Sequence, residues 1–84
     1  VILNIGTQIG HDVKIGNFSS LMPNINIGGG CTIGNKVFIG ISSTIVQGRK
    51  IADEMKISAG SVVIRNFSKK SVLSGNPAKK ISSL

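Results

Sequence analysis

The sequence predicts an all-β chain wound as a left-handed parallel β-helix, and three observations carry that prediction. An aliphatic residue returns at every sixth position: Leu3, Ile9, Ile15, Leu21, Ile27, Ile33, Ile39, Ile45, Ile51, Ile57 and Val63. Four places after each stands a second, mostly small residue, as at Thr7, Val13, Ser19, Ile25, Cys31, Val37, Ser43 and Ser61. Glycine follows the aliphatic at Gly10, Gly16, Gly28, Gly34 and Gly40. A period of six matches neither an amphipathic helix nor a plain alternating strand. It matches a hexapeptide solenoid, in which each hexad supplies a short strand and a turn.

Hexads run from Leu3 to Ser68, eleven in all, which at three per coil makes fewer than four coils. Residues eighteen apart then stack at the inter-strand spacing of about 4.8 Å. The aliphatic and small columns point inward. The glycine after each aliphatic is expected to serve the corner, where a positive φ is cheap only without a Cβ. In the second coil, Met22-Pro23-Asn24 replaces the Gly-led turn and marks a shaped corner. In the third, Arg49 falls in an inward slot, where an unpaired charge is costly, so the wall is expected to bulge there. After Ser68 the period stops. Lys69-Lys70-Ser71 reads as a polar connection, and Ser71-Val72-Leu73-Ser74-Gly75 as one more strand across the open end. Gly75-Asn76-Pro77-Ala78 reads as a turn, since proline lacks a ladder donor and sets φ. No helix is expected. The expected organisation is a β-helix over 1–68 and a C-terminal strand with a capping tail over 69–84. Because the pattern is already running at Val1, with no initiator Met, the chain reads as the C-terminal portion of a longer protein.

Composition narrows the chemistry. The formal net charge is +7, from ten Lys and Arg against Asp12, Asp53 and Glu54. A basic surface attracts anions. Nucleic acid is disfavoured as the partner: the cations are scattered, and three Phe with no Tyr or Trp leave few stacking platforms. The lysines read either as a solvated turn face or as a surface for phosphates. The single cysteine, Cys31, cannot close an internal disulfide, which points to a reducing compartment, and its inward position makes it a core residue. With neither a signal peptide nor an apolar run long enough to span a bilayer, a cytoplasmic location is expected. One histidine cannot furnish the three that a zinc enzyme of this architecture needs, so no metal is expected.

Stacking by eighteen sorts the turn residues into three outward columns. Asn17, Asn35 and Asp53 form a polar one that reads as turn chemistry. Pro23, Ile41 and Ala59 form an oddly apolar one, which suggests contact with a subunit or a ligand chain. His11, Gly29, Gln47 and Arg65 form the third. His11 reads either as an ordinary turn residue or as a base, since imidazole titrates near neutrality. A backbone N–H one coil above, on a residue with no side chain, can face a developing oxyanion. Asp12 either orients the ring or caps the turn.

At Ile9-Gly10-His11-Asp12-Val13-Lys14-Ile15-Gly16, Ile27-Gly28-Gly29-Gly30-Cys31-Thr32-Ile33-Gly34, Ser58-Ala59-Gly60-Ser61-Val62-Val63 and the closing Gly75-Asn76-Pro77-Ala78-Lys79, the chain resembles a known family. It is similar to the hexapeptide acyltransferases, and within them to the sialic acid O-acetyltransferases and the bacillosamine or perosamine N-acetyltransferases. The resemblance covers nearly the whole chain. It implies a homotrimer with acetyl-coenzyme A lying between neighbouring prisms, and a Rossmann-type sugar-binding domain preceding the helix. It implies that His11 is the base, Asp12 its acidic neighbour, and Gly29 the donor to the thioester carbonyl. It places Ile41, Ala59 and Lys79 against the coenzyme and Asn4 near the acceptor sugar. Where many members carry a second histidine beside the thioester, this chain has Ser20, whose hydroxyl can still hydrogen-bond.

The expected function is therefore acetyl-coenzyme A-dependent acetylation of a nucleotide-linked amino sugar in bacterial glycan biosynthesis, without metal, nucleic acid or membrane insertion. Two alternatives stand beside it: O-acetylation of a sialic acid or related sugar, and a non-catalytic hexapeptide scaffold. Nothing in the residues separates an amine from a hydroxyl acceptor.

Overall fold

The computed structural model describes residues 2–3, 6–68 and 70–83. Eleven two-residue strands recur at the hexad spacing: β1 (Ile2–Leu3), β2 (Gln8–Ile9), β3 (Lys14–Ile15), β4 (Ser20–Leu21), β5 (Asn26–Ile27), β6 (Thr32–Ile33), β7 (Phe38–Ile39), β8 (Thr44–Ile45), β9 (Lys50–Ile51), β10 (Lys56–Ile57) and β11 (Val62–Val63). Longer strands close the chain, β12 (Ser71–Ser74) and β13 (Lys79–Ser83), and no helix occurs among the described residues. Each strand from β1 to β8 pairs in parallel with the strand three further on, so that Leu3 meets Leu21, Ile9 meets Ile27 and Ile15 meets Ile33. Three faces result. The first is β1-β4-β7-β10-β12-β13, the second β2-β5-β8-β11, and the third β3-β6-β9. This is the parallel β-helix that the six-residue period predicts.

The core fills the prism where the two inward columns meet. Leu21, Ile25, Ile39, Ile57, Met55 and Val63 are fully buried, as is Cys31. Burial is weaker in the first coil, where Ile9 is exposed and Val13 and Ile15 are half-buried. At the other end Leu73 and Ala78 complete the core. The small column carries its own hydrogen-bond ladder. Thr7, Ser19, Cys31 and Ser43 each donate to the carbonyl fifteen residues on, at Met22, Gly34, Val46 and Ser58. Small hydroxyls and a thiol therefore suit this column because each must fit between coils and satisfy a buried carbonyl.

The glycines that follow the aliphatics do not take positive φ, contrary to expectation. The left-handed region is occupied two residues later in each hexad, at Gly6, Asp12, Phe18, Asn24, Gly30, Lys36, Ser42, Gly48, Glu54 and Gly60. The Ile-Gly glycines are needed for close approach instead. A Cβ on Gly28 would stand 2.5 Å from the Gln47 nitrogen, one on Gly40 2.6 Å from that of Ala59, and one on Gly10 2.5 Å from that of Gly29. The next coil leaves no room for a methyl group.

Arg49 does not bulge the wall. The strands on either side of it keep the eighteen-residue register, Ile27 with Ile45 before it and Thr32 with Lys50 and Ile33 with Ile51 after it. Its side chain leaves the core, and its guanidinium donates to the carbonyls of Gln47 at 3.2 Å and Ile64 at 3.5 Å. Ile64 lies fifteen residues on, so the guanidinium serves the same acceptor that a hydroxyl serves elsewhere in the column. The hexad spacing also ends earlier than Ser68. Phe67 bridges to Ile51, and Asn66 Oδ1 accepts from the Lys50 N–H, offsets two residues short of eighteen. As expected, 71–74 forms a strand across the end, pairing in parallel with β10. It also pairs antiparallel with β13, through a turn that contains a cis Asn76-Pro77 bond.

Candidate active site

The turns between faces form three edges, and the outward columns lie along them. The third-to-first edge bears out the reading of turn chemistry: Asn35 Oδ1 accepts from the Asn17 N–H and Asp53 Oδ1 from the Asn35 N–H, each at 2.7 Å. The first-to-second edge carries Pro23, Ile41 and Ala59, with Ile41 46% exposed.

The second-to-third edge carries His11 and Gly29. His11 and Asp12 form the turn after β2, with Asp12 in the left-handed region that Asp enters more readily than most residues. That conformation brings its carboxylate back beside the ring, with Oδ2 3.2 Å from His11 Nδ1, and leaves both side chains 88% exposed. A carboxylate only accepts, so the tautomer that satisfies this contact carries its proton on Nδ1 and its lone pair on Nε2. The turn from Gly28 to Gly30 stacks above, held by the Gly30 N–H donating to the His11 carbonyl at 2.8 Å. The imidazole lies against Gly29: a Cβ there would stand 2.9 Å from Nε2, 3.1 Å from Cε1 and 3.2 Å from Cδ2. The nitrogen bearing the lone pair is thus the ring atom nearest the point where a Gly29 side chain would begin. On the polar edge the Asn17 and Asn35 amides are each capped by the side chain one coil above, whereas Gly29 has no side chain to cap the His11 amide. The Gly29 carbonyl accepts from the Gly48 N–H at 2.9 Å, while the Gly29 N–H donates to no group among the described residues.

The other predicted residues do not join this group within one chain. Ser20 lies on β4 of the first face, in register with Ile2 and Phe38. Lys79 begins β13, at the outer margin of that face, opposite Ser74. Ile41 and Ala59 occupy the far edge of the second face from His11. Asn4 lies outside the described residues. Two features escaped the sequence reading. An open depression of about 460 Å³ runs across the second face, lined by Gln8, Asn26, Thr44 and Gln47 together with backbone at Gly10 and Gly28. It spans the ground between the His11 edge and the Ile41 edge, and its outward row at 8, 26 and 44 was legible as a spacing of eighteen. The second feature is a set of exposed aromatics, Phe18 at 80% and Phe38 at 42%.

Comparison with known proteins follows the same lines. The family described as "Bacterial transferase hexapeptide (six repeats)" matches residues 6–40. A UDP-3-O-acylglucosamine N-acyltransferase of Bordetella pertussis is 34% identical over 62 residues, covering 74% of this chain and 17% of the relative. A crystal structure of a histidine-to-asparagine variant of perosamine N-acetyltransferase from Caulobacter crescentus, in complex with CoA and GDP-perosamine, superposes with a TM-score of 0.89 at 28% identity, covering 92% of this chain and 37% of that one. A maltose O-acetyltransferase from Clostridium difficile superposes with a TM-score of 0.82 at 25% identity, covering 94% and 59%. The chain spans less than a third of the length of the curated relatives it matches.

Proposed function

We propose that this chain is a hexapeptide-repeat acyltransferase and that it transfers an acetyl group from acetyl-coenzyme A to the amine of a nucleotide-linked sugar, in bacterial glycan biosynthesis in the cytoplasm. The observation that carries the reading is the placement of His11 Nε2 against Gly29 with Nδ1 held by Asp12. Support for an amino-sugar acceptor comes from the perosamine N-acetyltransferase and the acylglucosamine N-acyltransferase among the similar proteins.

In the proposed reaction, His11 Nε2 takes a proton from the acceptor amine as its nitrogen bonds to the thioester carbon. The charge developing on the carbonyl oxygen is met by the Gly29 N–H. When the tetrahedral adduct collapses, the C–S bond breaks, the amide remains on the sugar, and the imidazolium returns its proton to the departing thiolate. Asp12 holds the ring in the tautomer that leaves Nε2 free.

One chain leaves this chemistry uncovered, since His11 and Asp12 are 88% exposed and the expected coenzyme contacts lie on other edges. The reading therefore includes a homotrimer, in which the apolar Ile41–Ala59 edge of one prism packs toward the His11 edge of the next. Ser20 and Lys79 would then approach the coenzyme from the neighbouring first face, and Asn4 the acceptor. A hydroxyl acceptor is the second reading, supported by the likeness to a maltose O-acetyltransferase. The test is thiol release from acetyl-coenzyme A with amino-sugar nucleotides and with the corresponding hydroxyl sugars. Acceptor-dependent release with the amine alone supports the first reading, with the hydroxyl alone the second, and release with neither contradicts both.

A further inference from the structure

Charge is spread unevenly along the prism. Residues 60–84 carry Arg65, Lys69, Lys70, Lys79 and Lys80 and no acid, so they supply five of the seven net positive charges. In residues 1–59, Asp12, Asp53 and Glu54 offset three of the five Lys and Arg. The fold gathers the basic segment at one end. Strand β11 is the last of the second face, and Ile64 and Arg65 follow it. Strand β13, with Lys79, Lys80 and Ile81, is the last of the first face. Lys70 tops the third-to-first edge, one coil above Glu54, with its Nζ 3.7 Å from Glu54 Oε2. Three sides of the prism thus bring cations to the same end, and Lys69 lies outside the described residues.

Exposed apolar side chains are an independent observation at the same end. Ile64 is 46% exposed and Ile81 62%, and each adjoins a cation in sequence, Arg65 and Lys80. Edge protection accounts for part of this, since lysines on an outermost strand such as β13 deter pairing with another chain. It does not account for Arg65, which lies on the bend after β11, nor for two isoleucines left exposed. Charge that served solubility alone would have no reason to collect at one end. Isoleucine interleaved with Lys and Arg fits a partner that is anionic at its surface and apolar just beneath, which describes the boundary of a bilayer. Nucleic acid would supply the anions, but Phe67, the one aromatic among the described residues of this end, is packed against the core and offers no ring to a base.

We propose that the end of the prism bearing Ile64, Arg65, Lys70, Lys80 and Ile81 docks on a membrane surface of anionic lipids. The guanidinium and ammonium groups meet the lipid phosphates, and the two isoleucines enter the apolar boundary below them. The contact is peripheral and needs no span. Lys79, which the reading above gives to the coenzyme, is not required for it. Docking is also independent of acetyl transfer, since His11 stands in the first coil and Arg65 in the last coil of the same edge.

The test is co-sedimentation with vesicles of phosphatidylcholine alone and of phosphatidylcholine mixed with phosphatidylglycerol, over a range of salt. The protein should sediment with the phosphatidylglycerol vesicles only, and added salt should release it. Arg65→Gln/Lys80→Gln should weaken binding about tenfold or more, and Ile64→Ser/Ile81→Ser should weaken it by a similar factor. Lys14→Gln/Lys50→Gln removes the same charge from the third face and should change binding by less than about twofold. Saturating coenzyme A should leave the protein on the vesicles. Unchanged binding in either of the first two variants overturns the proposal. Equal loss in the third-face variant also overturns it, because net charge and not this end would then be the cause. Release by coenzyme A overturns it by assigning these cations to the coenzyme, and equally tight binding of duplex DNA overturns the choice of lipid. Thiol release measured without vesicles should be the same in wild type and Arg65→Gln/Lys80→Gln, so failure of docking is distinguishable from failure of the acetyltransferase reading.

Discussion

The imidazole of His11 rests against Gly29, eighteen residues further on, with Nε2 2.9 Å from the point where a Cβ would stand. Neither residue is near the other in sequence. The stacking of coils brings them together, and the absence of a side chain at position 29 lets the ring lie where it does.

A methyl group at that point should therefore act on chemistry more than on folding. Gly29 is not in the left-handed region, and the group it would strike is the far end of an exposed side chain. Gly29→Ala should lower acetyl transfer by about a hundredfold, the scale of a misplaced catalytic group. Its thermal unfolding midpoint should stay close to that of wild type. The two are read from one preparation by thiol release and by circular dichroism.

Glycines elsewhere should divide by cause. A Cβ on Gly28 meets the backbone of Gln47, at 2.5 Å from N and 2.6 Å from Cα, so Gly28→Ala should destabilise by about 3 kcal/mol or more. Gly48 has open space but a φ of +74°, so Gly48→Ala should cost only about 1–2 kcal/mol. Urea unfolding of the two variants gives the order. The reverse order would mean that backbone conformation, and not the next coil, limits these turns.

The small column predicts a further difference. Ser19 is fully buried, donates to the Gly34 carbonyl at 2.8 Å and accepts from the Val37 N–H at 3.1 Å. Ser19→Ala strands a buried N–H as well as a carbonyl and should cost about 2–3 kcal/mol. Ser43 donates to the Ser58 carbonyl at 3.0 Å, and its Oγ accepts from no backbone N–H among the described residues, so Ser43→Ala should cost about 1 kcal/mol.

Much of this was legible in the sequence, for a reason that can be stated. The period of six fixes the strands, their register and the inward columns, because every hexad repeats the same burial. What did not repeat was not legible. The end of the helix depends on Phe67 bridging to Ile51 at a shortened offset, which no column announces. Arg49 looks like a buried charge until its guanidinium is seen to serve the carbonyl that hydroxyls serve elsewhere. The glycines were visible but their cause was not, since a residue that avoids a clash and one that needs positive φ are written with the same letter. His11, Asp12 and Gly29 could be placed on one edge from spacing alone. The relation of Ser20, Ile41, Ala59 and Lys79 to that edge could not, because it runs through another copy of the chain in the reading proposed here.

The trimer and the coenzyme groove are tested together. Sedimentation should show three chains per particle at micromolar concentration. Ala59→Trp should abolish coenzyme A binding while keeping the β signature in circular dichroism. A stable monomer, or unchanged coenzyme affinity, would show that the apolar edge has another use.

The central claim is that His11 is the general base, and its most direct measurement is acceptor-dependent thiol release for wild type, His11→Ala and Asp12→Asn. His11→Ala should lower turnover by about a hundredfold or more, and Asp12→Asn should cost less. The trimer should persist in both variants. Equal rates in wild type and His11→Ala would contradict the account, leaving His11 an ordinary turn residue and the helix a scaffold.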